Sequence, residues 1–378
     1  MEFVRSTRNL NEETKMSETV LKREESVAIA LRSLYKKYGY LPYKMNKFES
    51  YDLYLANKDF LAFDGVITFN DTDGRLLALK PDVTLSIIKN GADGDTNQKV
   101  FYDETVYRIS GDSKQFKEFK QVGLECIGQV GVYEVYETLY LAIKSLEEIS
   151  KDYILDISHL GLLSGVLEDI GAGERFNAQA ITCIASKNAH ELTSLCNAFA
   201  LSKADEDKLL TLIKAYGTAD KVLAEIQPLC VSEKTQLAYN ELVTVVSLLG
   251  KDAEKVRLDF SVVNDRKYYN GIVFKGFIDG VYKSVLSGGR YDKLLARMHR
   301  NSGAIGFAVY LDLLGELEKE SSSFDTDTLI LIDDATPVER VVAETRVREE
   351  RGETVRVERQ KGKLRFKTLL DLSGGKQC

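Results

Sequence analysis

Four groups of residues in this 378-residue chain have types and spacings that could hold a small polar molecule. Asp82 and Thr84 stand two apart at the end of a strand-like run, so both side chains can point to one face. A carboxylate beside a hydroxyl can bind an α-amino group. The same pair also fits a turn acid and a helix start, with Thr84 as the N-cap. Gln121 and Glu125 share a face of a predicted strand while Val122, Leu124 and Cys126 take the other, and Gly123 between them leaves room for a ligand. A polar face on an internal strand needs partners; a solvent-facing side of a sheet gives the same pattern. Arg108 closes a strand before the loop Ser110 to Lys117, where a guanidinium can clamp a phosphate or carboxylate, or form a surface ion pair. Tyr268, Tyr269 and Tyr291, with Arg290, offer aromatic walls and polar tips suited to an imidazole-like ring, and equally to ordinary sheet packing.

The elements that must position these residues are legible from periodicity. Val20 to Tyr38 predicts an amphipathic helix with Val20, Val27, Leu31, Leu34 and Tyr38 on one stripe, ended by Gly39. An extended segment runs through Tyr54. Val66, Thr68 and Asn70 lead into the turn Asp71-Thr72-Asp73-Gly74, and Leu77 and Leu79 return to Pro81. A helix is expected from Thr84 to Lys89. A long hairpin spans Val100 to Gly128, and a helix covers Glu134 to Glu148. Leu160 to Leu249 is helical in pattern. Strands resume at Val256; Asp279-Gly280 signals a tight hairpin within NDRKYYNGIVFKGFIDGVYKSVLSGGRYD (264–292). Ser302 to Leu317 reads as a strand leading into a helix. Ser321-Ser322-Ser323 reads as a linker, and the tail from Thr326 as a β-α-β unit too small for a robust core of its own. The expected fold class is α+β, an antiparallel sheet flanked by helices with a helical insertion. The expected parts are a flexible arm (1–17), a core (18–158 and 251–320), the insertion (159–250), and a linker with a truncated α/β segment (321–378).

Composition narrows the function classes. A net charge of -7 removes any global basic footprint for nucleic acid, although a local basic groove can sit on an acidic protein. Cys126, Cys183, Cys196, Cys230 and Cys378 form no CxxC pair, so no metal site is expected and reduced thiols in the cytoplasm are. His159, His190 and His299 have no spacing of a relay or metal site and read as structural or surface residues. No cofactor is expected. The N-terminus lacks the apolar core of a signal peptide, and no apolar run approaches the ~20 residues that span a bilayer.

Five blocks in order carry a resemblance. LALKPDVT is similar to the LRPE-type strand of histidyl-tRNA synthetases, and VYRI with FKEFKQVGLECIG to the class II motif 2 hairpin. RKYYNGIVF and SGGRYDKLL resemble the histidine-specific motifs, and SGAIGFAVYLDLL resembles motif 3. The resemblance covers about residues 20–317 and implies a class II aminoacyl-tRNA synthetase-like fold. It also implies that Asp82, Thr84, Arg108, Gln121, Glu125, Tyr269 and Tyr291 surround a histidine-like ligand.

Several positions depart from that family. Asn264 stands where histidyl-tRNA synthetases carry an extra arginine that meets charge on the ATP α-phosphate; losing one such donor costs ~100- to 1000-fold in rate. Arg108-Ile109-Ser110 places a serine where motif 2 has a glutamate for ATP. The loop SKQFKEFK has lysines and a glutamine in place of arginines, and lysine lacks the planar fork. Asn46 matches the motif 1 proline position, with Pro42 close by. Gly306 to Asp312 brings no arginine. The tail falls short of the mixed α/β domain expected of an anticodon reader.

An amino-acid pocket kept while the ATP groups are lost resembles the regulatory subunit of ATP phosphoribosyltransferase. That resemblance implies a chain with no catalytic residues of its own. It implies a short-form catalytic subunit as partner, assembly into a hetero-octamer, a homodimer through the helix and extended segment before Tyr54, and histidine as the feedback effector, whose contacts can involve the partner interface. The alternative is a divergent histidine–tRNA ligase, favoured by the retained pocket and opposed by Asn264, Ser110 and the tail. A free-standing RNA-binding module is opposed by the acidic balance, which makes tRNA an unlikely partner.

Overall fold

The computed structural model describes residues 21–58, 65–91, 94, 96–110, 114–263, 268–318 and 324–374. The expected arm 1–17, the position Asn264, the Ser321–Ser323 linker, Cys378 and the tip of the motif 2 loop at 111–113 lie outside the described residues. The chain divides into two compact units, Arg23–Glu316 and one holding the stretch from Leu317 onward.

The first unit is an α+β layer structure. Helix α1 (Arg23–Lys37) has Glu24 and Glu25 in its first turn and Lys36 and Lys37 in its last, matching the helix dipole at both ends. It ends at Gly39, whose φ of 79° is the left-handed conformation that glycine adopts without strain. Its buried stripe is Val27, Ala28, Leu31 and Tyr35: Val27 and Leu31 are as expected, while Ala28 and Tyr35 take the places expected of Leu34 and Tyr38. Tyr35 decides this: its hydroxyl meets the Ser145 hydroxyl at 2.9 Å, and its ring packs on Phe101 and Phe307. Strand β1 (Leu41–Pro42) follows, then β2 (Phe48–Ser50) and the short helix α2 (Tyr51–Ala56). Strands β3 (Thr68–Asn70) and β4 (Leu76–Leu79) join β2 in a small antiparallel sheet of order β2-β4-β3.

Helix α3 (Thr84–Asn90) leads to the long hairpin of β5 (Gln98–Ile109) and β6 (Phe116–Gly128). Helix α4 (Val132–Ile149) and strand β7 (Tyr153–His159) follow. The next stretch holds α5 (Leu160–Ile170), α6 (Glu174–Ala185), α7 (Ala189–Ala198), α8 (Lys203–Lys214), strand β8 (Tyr216–Thr218), α9 (Ala219–Ile226) and α10 (Glu233–Leu249). Strands β9 (Val256–Asp259), β10 (Ile272–Ile278) and β11 (Leu286–Arg290), helix α11 (Asp292–Arg297) and strand β12 (Gly303–Tyr310) complete the unit. The helix expected after β12 is the 3-10 helix Leu311–Glu318, with Gly315 in the middle of so short a run.

The main sheet has the order β1-β5-β6-β12-β11-β10-β7-β9-β8. It is antiparallel except where β1 meets β5 and β7 meets β9. Val122, Leu124 and Cys126 on β6 share one buried face, the side on which Tyr35 packs against Phe101 and Phe307. Over the other face lies a second apolar layer that includes Met45, Tyr54, Val83, Ile87, Tyr291 and Leu294.

One buried ion pair pins that layer to the sheet. Lys80, only 2% exposed at its side chain, pairs with Glu104 of β5. Glu104 also accepts the Met45 N–H at 3.0 Å, and the Lys80 carbonyl accepts the Tyr107 N–H at 2.9 Å. Lys80 immediately precedes Pro81-Asp82, so the clamp fixes where Asp82 and Thr84 arrive. His159 caps α5 by accepting the Leu162 N–H at Nδ1, the structural role expected for a lone histidine.

In the second unit, β13 (Thr326–Leu331), helix α12 (Val338–Glu349), β14 (Val355–Glu358) and β15 (Phe366–Asp371) make a parallel sheet of order β14-β13-β15. The third strand was not expected. Lys367, Thr368 and Leu369 of β15 are all exposed, so backbone pairing holds it and no period-two signal marks it. Among the described residues no helix is long and apolar enough to cross a membrane.

Removing one partner of a buried pair strands the other charge. Lys80→Met is expected to lower stability by about 3–5 kcal/mol, and the double variant Lys80→Met/Glu104→Leu to regain much of it. Urea denaturation followed by circular dichroism measures both; an additive double variant would show that the pair is not coupled.

Candidate functional site

Strand register builds the floor of the site. Across β5 and β6, Tyr102 faces Gly123 and Glu104 faces Gln121. Across β6 and β12, Glu125 faces Gly306, Gly123 faces Ala308 and Gln121 faces Tyr310. Ser287 of β11 faces Ala308 in turn. Because strand side chains alternate, these residues share one face of the sheet, and the face is unusually low where Gly123, Ala308 and Gly306 lie. A cavity of about 100 Å³ sits over it.

All seven residues expected as ligand contacts, Asp82, Thr84, Arg108, Gln121, Glu125, Tyr269 and Tyr291, line this one cavity. Tyr268 lines it too, with its ring 4.7 Å from that of Tyr269 and 5.3 Å from that of Tyr291. Tyr102, Ser287, Gly306, Ala308 and Tyr310 were missed. Their only signal was the alternation of β5, β11 and β12, which identifies a face once the strand order is known.

The centre of the site is the Glu125 carboxylate, 3% exposed. Thr84 Oγ1 donates to its Oε1 at 2.7 Å and the Tyr291 hydroxyl donates to its Oε2 at 2.5 Å. A Cβ at Gly306 would fall far inside van der Waals contact with Oε2. Glycine at 306 is therefore what lets the carboxylate lie on the sheet. Burial pushes the Glu125 carboxyl up to about 8, against the pull of the Tyr291 and Thr84 hydrogen bonds, and the neighbouring Asp82 charge adds to the rise. Burial also raises Asp82, opposed by the Leu85 N–H and the Arg108 charge. Burial holds the phenols of Tyr102, Tyr268 and Tyr291 far above the ordinary tyrosine range, so they stay neutral donors.

Three expectations need correction. Thr84 does not cap α3; Asp82 Oδ1 accepts the Leu85 N–H at 2.9 Å, which frees the Thr84 hydroxyl for Glu125. Gly123 does not leave room for a ligand, because the Tyr102 ring and the Phe307 carbonyl fill that space. Arg290 does not stand with the tyrosines over the cavity; it pairs with Asp292 at 2.7 Å and reaches toward Glu241. The Arg108 guanidinium lies 5.4 Å from the centre of the Phe119 ring and acts on Asp82.

Chemically, a buried carboxyl (Glu125), a half-buried one (Asp82), a guanidinium, neutral phenols and an amide converge on a space the size of a small polar molecule. The two carboxyls suit a cationic group. Bringing a cation against Glu125 stabilises its ionised form and expels its proton.

The profile of the histidyl-tRNA synthetase family matches residues 14–314. The ATP phosphoribosyltransferase regulatory subunit of Desulfitobacterium hafniense is 30% identical over 302 residues, 77% of this chain and 76% of that protein. Among solved structures, an ATP phosphoribosyltransferase regulatory subunit/histidyl-tRNA synthetase from Bacillus halodurans superposes with a TM-score of 0.73. It is 23% identical and covers 93% of this chain and 94% of its own. The ATP phosphoribosyl transferase (HisG:HisZ) complex from Thermotoga maritima gives a TM-score of 0.61 at 18% identity, over 76% of this chain and 97% of that one. At these identities the two structures establish the fold.

Two outcomes follow from the Glu125 geometry. A carboxyl whose folded value is raised from 4.5 to about 8 contributes stability that is complete below about pH 4.5 and lost as pH climbs through about 8. Denaturation midpoints of the ligand-free chain should therefore carry a falling component across that window, absent in Glu125→Gln. Gly306→Ala should displace the carboxylate and cost roughly 1–3 kcal/mol. A midpoint equal to that of the parent would mean that residue 306 does not set the position of Glu125.

Proposed function

The chain belongs to the histidyl-tRNA synthetase family and stands among the ATP phosphoribosyltransferase regulatory subunits within it, and from that premise we propose that a short catalytic ATP phosphoribosyltransferase subunit needs it for activity and receives histidine feedback through it. In this role the chain is noncatalytic. The partner carries the transferase site for the first step of histidine biosynthesis.

The observation that carries the reading is the contrast between two sides of the site. The amino-acid side is built: Glu125 is held by Thr84 and Tyr291, with Asp82, Arg108, Gln121 and Tyr269 around it. The ATP side lacks the groups that activation draws on. Ser110 is a buried serine where motif 2 of the ligases has a glutamate. The stretch Gly306 to Asp312, where motif 3 of the ligases brings an arginine, has none, and its Asp312 accepts the Lys120 N–H at 2.7 Å.

Histidine in the cavity would set its cationic group against Asp82 and Glu125 and its carboxylate toward Arg108. It would act by binding one assembly state better than another, which is the only way a ligand can shift such a balance. The hetero-oligomer, a hetero-octamer in this reading, would contain homodimers formed through α1 and the extended segment before Tyr54; Leu41 and Phe48 are exposed there. Free, buried Cys126, Cys183 and Cys196 support a cytoplasmic location.

The test is phosphoribosyltransferase activity of a short catalytic subunit from the same source, alone, with this chain, and then with added histidine. Activation followed by inhibition is expected. No effect on the transferase, together with histidine-dependent ATP–pyrophosphate exchange by this chain alone, would make it a working ligase instead. Calorimetric titration then tests the cavity: Glu125→Ala should weaken histidine binding roughly tenfold or more, and equal affinity would move the effector site elsewhere, such as to the partner interface.

A further inference from the structure

Tyr291 reaches Glu125 only because the chain turns sharply between β11 and α11, and that turn is held by a polar network. The Tyr291 N–H donates to the Ala304 carbonyl at 2.8 Å, and the Ala304 N–H donates to Asp292 Oδ1 at 2.9 Å. Arg290 Nε donates to Asp292 Oδ2 at 2.7 Å. Asn270, next to Tyr269, donates its backbone N–H to the Arg290 carbonyl at 2.9 Å and its side-chain amide to Asp292 Oδ2 at 3.3 Å. Arg290 thus sits at the junction of the two segments that carry Tyr269 and Tyr291.

The outer partner of this junction comes from the helical segment. Glu241, on α10, places Oε1 3.8 Å from Arg290 Nη1 and Oε2 2.7 Å from His159 Nε2. His159 Nδ1 accepts the Leu162 N–H at 3.1 Å, so the neutral ring carries its proton on Nε2 and donates it to Glu241. One carboxylate oxygen is therefore fixed by the histidine that caps α5, and the other faces the guanidinium. At 3.8 Å the Arg290 contact is a charge interaction rather than a hydrogen bond. Both side chains are about three-quarters buried, so solvent screens the contact only in part. Burial works against ionising Glu241, but the His159 hydrogen bond and the Arg290 charge outweigh it and hold the carboxyl below its ordinary range. A Cβ at Gly271 would press on the Arg290 stem, at 3.1 Å from Cδ, so the stem lies along that backbone and the guanidinium has little freedom to leave Glu241.

We propose that Glu241 is a positioning residue for the cavity, holding the Tyr291 phenol over Glu125 by restraining Arg290. The helical segment then does more than pack beside the sheet. Its longest closing helix sets the geometry of a ligand contact that it does not touch. His159 and Glu241 also line a groove of about 650 Å³ with Val132, Leu237, Asn240 and Thr244, which brings the outer end of the network within reach of solvent.

The inference rests on the reading that the cavity takes histidine, and the experiment separates the two. L-Histidine is titrated calorimetrically into the full chain and into Glu241→Gln, Tyr291→Phe and the double variant, and the exchange rate of the Tyr291 amide is measured without ligand. Glu241→Gln is expected to weaken binding roughly 3- to 30-fold, with little further loss in the Tyr291→Phe background, because the two act in series. Unchanged affinity in Glu241→Gln overturns the proposal. So does an equal loss in both backgrounds, which would mean a general structural role. If histidine fails to bind the parent chain, the cavity reading fails, and amide exchange decides this proposal: faster exchange at Tyr291 in Glu241→Gln supports it and an unchanged rate overturns it. Where Glu241→Gln does not fold, Glu241→Asp, with the charge kept and the reach shortened, takes its place in every arm.

Discussion

Glu125 lies opposite Gly306, and its carboxylate occupies the space that any side chain at 306 would need. The rest of the site follows from that close approach. A carboxylate flat on a sheet must find its hydrogen bonds above it, and the two donors come from distant parts of the chain. Thr84 is delivered by the segment that Lys80 clamps to Glu104. Tyr291 is delivered by the turn between β11 and α11. The two donors reach down to the same group from opposite sides of the cavity.

Two glutamates on this face of the sheet show what the enclosure costs. Glu104 is buried with its own cation, Lys80. Glu125 is more deeply buried and is met by two hydroxyl groups, which stabilise an ionised carboxylate far less than a full charge does. Its proton is accordingly held up to about 8. A buried carboxyl in this state loses its contribution to stability as pH climbs toward that value, and a positive charge brought against it would favour its ionised form. The two residues, on one face of one hairpin, thus differ in whether the fold itself supplies the positive charge.

Much of this was legible in the amino-acid order. The alternation in FKQVGLECIG puts Gln121 and Glu125 on one face without any knowledge of neighbours, and the seven expected residues do meet at one cavity. What could not be read is whatever depends on a second strand. Gly306 appeared as a motif glycine, but its role is set by the β6–β12 register. Gly123 appeared as open space because the ring of Tyr102, its partner across β5, was invisible. Asp82 took the capping role expected of Thr84, since a cap needs only a nearby acceptor and either residue could supply one. The α1 stripe was read one helical step away from Tyr35, whose burial is decided by Phe101, Phe307 and Ser145. Strand β15 left no trace because backbone pairing, not side-chain burial, holds it.

The elements over the cavity carry both donors to Glu125. Those elements are not independent flaps. Arg300, just beyond α11, donates to the Ile88 carbonyl of α3 at 3.2 Å, and Arg297 at the end of α11 donates to the Ala56 carbonyl at 3.2 Å. The Thr84 side and the Tyr291 side are thereby tied to each other as well as to Glu125. A ligand that draws the Glu125 carboxylate toward its own charge competes with both donors at once. It acts on one connected cover, which extends to α2 and the small sheet. The small sheet includes β2, which lies within the extended segment proposed for self-association. A displacement of either donor would therefore be resisted by the other through this cover.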